Sequence, residues 1–128
     1  MSDDDFIAAF EATALPLPDF DHRAHVRAGY LYVARRGLGV AIDCFGRALR
    51  AFAAAHGKQG LYHETITVAF LALINERIVL SQPSGWEAFA AANPDLLQRD
   101  CLARFYAPDE LASAEARAVF LLPRKRVA

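Results

Sequence analysis

The stretch from Tyr62 to Leu80 places apolar residues on nearly every face of a helix, at Ile66, Val68, Phe70, Leu71, Leu73, Ile74 and Ile78. A helix that is apolar all round has no face to offer water and must be enclosed by other elements. Lipid is not the enclosure. The longest apolar run, Ile66 to Leu73, is interrupted by Thr67 and falls far short of the roughly 20 residues that span a bilayer. The rest of the chain therefore has to wrap this segment, which predicts a central helix and excludes a membrane partner. Alanine contributes 26 residues against 15 for Val, Ile and Thr together, a balance that favours helix over sheet. With 128 residues, 55% of them hydrophobic, the chain can close one core without disulfides or a structural metal. The expected fold is all-α: a single domain over residues 1–128, an irregular helical bundle of four main helices plus short C-terminal helices.

Local signals place the remaining helices. Asp3 to Asp5 put negative charge where a helix begins, predicting a first helix to about Thr13 that stops before Pro16 and Pro18. Asp21 is a good N-cap for a second helix from His22 to about Arg36, with Val26, Tyr30 and Val33 as its apolar stripe. Gly37 and Gly39 break the chain before a third helix, from about Val40 to His56, carrying Ile42, Phe45, Leu49 and Phe52 at helical spacing. Lys58 to Gly60 form a tight loop before the central helix. Pro83 and Ser84 open a short helix through Trp86 and Phe89; Asn93 and Pro94 open another through Leu102. Pro108 and Ser113 mark two further turns or short helices, and Arg124, Lys125 and Arg126 form a solvated end.

Charge and cysteines bound the function. A formal net charge of -1 leaves no basic footprint for phosphate neutralisation, so nucleic acid is not an expected partner. Cys44 and Cys101 lack CxxC spacing and the N-terminus is acidic, which points to a cytoplasmic protein with reduced thiols that pack as small hydrophobes.

Three of the four histidines fall at two predicted helix starts. His22 and His25, at i and i+3, share one face of the second helix, and Gly29 lies on that face one turn later, where a neighbour can approach closely. His63, Glu64 and Thr67 open the central helix. The positive end of the helix dipole opposes imidazolium formation, so His22 and His63 favour the neutral ring that binds metals or accepts hydrogen bonds. If the two helices pack together, His22, His25, His63 and Glu64 form a candidate site for a divalent transition metal such as zinc. In an enzyme, Glu64 and His63 would be the catalytic pair and metal-assisted hydrolysis the reaction class. Arg23, Arg27, Thr67, Tyr62 and Tyr106 are candidate ligand-binding residues: the arginines could clamp an anion, or pair with Asp19 or Glu64. Against these stands a structural role, in which histidines at helix starts cap backbone groups and His25 donates to a buried carbonyl. The aromatic residues Tyr30, Tyr32, Phe45, Phe52, Phe70, Trp86, Phe89, Phe105 and Phe120 are expected in the core.

Two segments carry a resemblance. Phe20 to Arg27 fits Phe-x-His-Arg-x-His-Val-Arg and Tyr62 to Thr67 fits Tyr-His-Glu-Thr-Ile-Thr, and the similarity continues through Asn93 to Leu97, Phe105–Tyr106 and Leu111 to Pro123. The chain resembles a family of small bacterial helical proteins with no established activity. The resemblance implies that His22, His25, His63, Glu64 and Thr67 form one signature. Two functions remain open at this point: a His/Glu pocket binding a metal ion or small molecule, or a noncatalytic interaction module, for example a homodimer, whose histidines are structural.

Overall fold

A computed structural model describes residues 1–124, and among these every regular element is helical. The α-helices are α1 (Asp3–Glu11), α2 (His22–Arg36), α3 (Leu38–Ala55), α4 (Glu64–Ser81), α5 (Trp86–Ala92), α6 (Pro108–Leu111) and α7 (Ala114–Ala118). Short 3-10 turns cover Leu17–Asp19, Gln59–Leu61 and Pro94–Leu97. The starts are capped as their residue types dictate. Ser2 accepts from the Asp5 amide, Asp21 from Ala24 and Ser113 from Ala116.

The all-round apolar segment is central. α4 packs against α2, α3, α5 and α7, and it buries Thr65, Thr67, Phe70, Leu71, Leu73 and Ile74. Its last turn emerges from the core, leaving Val79 and Leu80 exposed. At Gly29, a β-carbon would lie 2.9 Å from Ile74 Cδ1 and 3.3 Å from Leu71 Cδ2, so α2 and α4 approach closely enough that any larger residue would have to shift these buried side chains. Phe10 centres the opposite half of the core, stacked on Phe20 at 4.8 Å and packed against Phe52 at 5.6 Å and Phe45 at 5.9 Å.

The helix boundaries differ from the expected ones where a cap or a polar contact takes over. Tyr62 and His63 precede α4 in extended backbone, because the His63 side chain caps the helix that begins at Glu64. The helix expected from Asn93 to Leu102 is only a 3-10 turn ending at Leu97. Arg77 of α4 holds Asp95 through two bonds of 2.9 and 2.7 Å and reaches Asn93 at 3.1 Å, pinning this turn against the core. Phe120, expected in the core, is 39% exposed, and Phe105 is only half-buried. The segment 119–121 after α7 crosses α4. Buried Thr65 donates to the Val119 carbonyl at 2.7 Å and accepts from the Leu121 amide at 3.0 Å, while Tyr106 donates to the Leu121 carbonyl at 2.7 Å. Arg124 is exposed as expected; Lys125 and Arg126 lie outside the described residues. Among the described residues, no helix is long and apolar enough to cross a membrane.

Candidate functional site

Packing α2 against α4 and closing α3 over both leaves a cleft of about 270 Å³ where the start of α2, the end of α3 and the approach to α4 meet. Its walls are mainly apolar: Phe20, Leu49, Phe52 and Ile66 contribute, with Leu17 and Leu61 also lining it. The polar groups that reach it are His25, Lys58, Tyr62, His63 and Thr67. A mostly apolar concavity with a few polar groups is the usual form of a small-molecule site.

His25 is the side chain that sets this cleft apart. Its ring sits among Phe20 and Phe45, each 5.5 Å away between centroids, and Phe70 at 6.0 Å. Burial among these rings pushes its pKa down to about 4, and the neighbouring His22 adds to the shift, so the imidazole is neutral at physiological pH. Its Nε2 is fully buried and has no hydrogen-bond partner among the described residues. The buried carbonyl expected to accept from this nitrogen is absent among the described residues. Few buried polar atoms in native proteins lack a partner, so one beside a cleft is informative.

The other histidines are committed to the scaffold. The Nδ1 of His63 accepts from the Ile66 amide at 3.1 Å and its Nε2 donates to the Leu111 carbonyl at 2.6 Å. Both ring nitrogens are used, and the accepting Nδ1 fixes the tautomer with the proton on Nε2. His22 donates from Nε2 to the Leu96 carbonyl at 2.9 Å, its ring edge-on to Phe70. His56, at the end of α3, donates to the Leu15 carbonyl at 3.1 Å. Thr67 donates to the His63 carbonyl at 2.8 Å, closing the first turn of α4.

Glu64 does not line the cleft. Its Oε1 accepts from the Tyr62 hydroxyl at 2.6 Å and from Arg50 at 3.4 Å, on the side of α4 that faces α3. Burial first, then the bond to Glu64, pushes the Tyr62 phenol up to about 12. The four expected metal ligands therefore split among a scaffold bond, a buried ring, a two-sided cap and an arginine pair. Among the described residues, no three His, Cys, Asp or Glu side chains are grouped to hold a metal ion. The donor set does not fit a metal centre.

The expected arginine clamp also lies elsewhere. Arg23 pairs with Glu87 at 3.4 Å and stacks over Trp86; Arg27 pairs with Asp3 at 2.7 Å and stacks over Phe6. Neither pairs with Asp19 or Glu64, because both project from the flank of α2 that meets α1 and α5. Tyr106 belongs to a different hollow, between α4 and the C-terminal segment, with Leu102, Phe105 and Phe120. Cys101 is unreactive by environment: burial pushes its thiol up to about 11.

Sequence reasoning thus picked out His25, Tyr62, His63 and Thr67 of the cleft and missed Lys58, Leu17, Leu61 and Leu49. The missing signal was position: Lys58 and Leu61 belong to the loop running directly into Tyr62 and His63, and Leu17 to the connector running into Phe20. No known protein family, no curated protein and no solved structure matches the chain.

Proposed function

We propose that the protein binds a small, largely apolar molecule in the cleft beside His25, which supplies the hydrogen-bonding group that orients it. The observation that carries this reading is the neutral, half-buried His25 ring, which lines an apolar cleft and whose Nε2 has no partner among the described residues. A neutral imidazole has one donor and one acceptor, so a ligand hydroxyl or carbonyl can satisfy what the protein leaves open. Of the two segments that carry the resemblance to small bacterial helical proteins, Phe20 and His25 line one wall and Tyr62, His63, Ile66 and Thr67 the other, while His22 and Glu64 face elsewhere. A cleft of about 270 Å³ is at the lower edge of small-molecule sites and suits a ligand on the order of ten non-hydrogen atoms. At about 0.5 kcal/mol per atom, such a ligand binds with a Kd of roughly 0.2 mM.

Amide shift mapping with 1-octanol tests this. Saturable shifts at Phe20, His25, Ile66 and Thr67 are expected, and Leu49→Trp, which fills the cleft, should remove them. Shifts scattered over the surface, or none at millimolar octanol, would refute it. The reading as a noncatalytic interaction module draws on a separate observation: His22, His56 and His63 each tie to the backbone carbonyl of a distant segment. Sedimentation separates the two. A monomer that binds octanol supports the cleft; a homodimer that does not bind it supports the module.

A further inference from the structure

Resting on the cleft as a ligand site, we infer that its ligand is an anionic amphiphile: a carboxylate on a short apolar body, with the carboxylate held at the mouth by Lys58. Among the described residues, Lys58 is the one formal cation in the cleft lining, and no aspartate or glutamate lines the cleft. Each of the six ion pairs found among the described residues draws on an arginine, and Lys58 takes part in none of them. An anion at the mouth therefore meets an ammonium with no competing carboxylate in the lining. Among the described residues the cleft supplies no second cation, because its histidines are a neutral ring and a doubly bonded cap.

The rim fits the other end of such a molecule. Leu61 is 67% exposed and Leu17 38% exposed, so two leucines stand in water at the edge of a cleft whose depth is Phe20, Phe52 and Ile66. Apolar side chains held in water at the edge of an apolar concavity gain by being covered. A ligand with its apolar body between the leucines and the aromatic wall, and its charge at Lys58, meets both rim features at once, and a second polar atom at its inner end would meet the His25 ring. A neutral apolar molecule leaves the ammonium unused. A cationic one places like charge beside it.

Titration of the intact protein with sodium octanoate, 1-octanol and octylammonium chloride, followed by amide shifts, tests the charge separately from the cleft. Octanoate should bind about fivefold tighter than octanol, the size of effect a partly exposed ion pair supports, and octylammonium weakest. The octanoate preference should narrow in 0.5 M salt. Lys58→Gln, an exposed substitution, should bring octanoate down to the octanol affinity without moving octanol, and Lys58→Arg should restore the preference. Equal affinity for octanoate and octanol in the natural protein, or an unchanged preference in Lys58→Gln, would overturn the anion assignment and leave the cleft reading standing. Failure of all three probes to shift the cleft amides would overturn both.

Discussion

Replacing His25 with phenylalanine should make the protein less sensitive to acid. The pKa of His25 falls from 6.5 in the unfolded chain to about 4 in the fold, chiefly through burial among Phe20, Phe45 and Phe70. The sign follows from proton counting. Above pH 6.5 the ring is neutral in both states and contributes no pH dependence; below it the unfolded chain takes up a proton that the folded chain refuses until about pH 4. Stability present above pH 6.5 is therefore lost as pH falls toward 4. At 1.36 kcal/mol per pKa unit the full loss is about 3 kcal/mol, of which roughly 2 kcal/mol should appear by pH 5. Phenylalanine keeps a ring against its aromatic neighbours and removes both the titration and the unpartnered nitrogen. At pH 7.5 the variant should equal the natural protein or exceed it by up to about 1 kcal/mol. Urea unfolding of both proteins between pH 7.5 and 4.5 measures the difference, and the carboxylates common to both cancel. Parallel loss of stability in the two proteins would refute the argument. So would direct titration of the His25 imidazole near pH 6.5.

Two substitutions test the frame around the cleft. His63→Ala removes the α4 cap and the bond to Leu111 together and should cost about 2 kcal/mol, whereas His63→Asn should recover about half by restoring the cap; equal losses in urea unfolding would show that the cap contributes nothing. Gly29→Ala gains about 1 kcal/mol of helix propensity but forces a methyl against fully buried Ile74 and Leu71, so it should cost about 1 kcal/mol net. A more stable Gly29→Ala protein would contradict the close approach of α2 and α4.

The central helix was legible because its pattern leaves no polar face, and burial is the only outcome open to such a segment. The span of α2 was legible for a local reason: Asp21 and Gly37 mark its two ends. The metal site was not legible as drawn, since i, i+3 spacing brings His22 and His25 to one face but does not fix what each nitrogen meets. His22 found the Leu96 carbonyl, and Leu96 lies 74 positions away along the chain. His63 found Leu111 by the same kind of long-range contact, which no local pattern encodes. Glu64 follows His63 in sequence and still points elsewhere, because adjacent residues at a helix start diverge by about 100° and Arg50 and Tyr62 wait on the other side. The cap itself was readable, as a histidine placed just before an apolar helix can cover its free amides. A pocket between the starts of α2 and α4 was expected, but half of its lining, Leu17, Phe20, Lys58 and Leu61 through His63, comes from connectors whose course depends on the packing of the helices they join.

The most direct test of the cleft is the imidazole nitrogen spectrum of the four histidines during titration with 1-octanol. Binding beside His25 predicts a saturable change in the His25 nitrogen resonances, with His22 and His56, which lie outside the lining, unmoved, and His63, whose two ring bonds stay in place, moving less. An unchanged His25 spectrum at saturating octanol, or equal movement of all four rings, would contradict it.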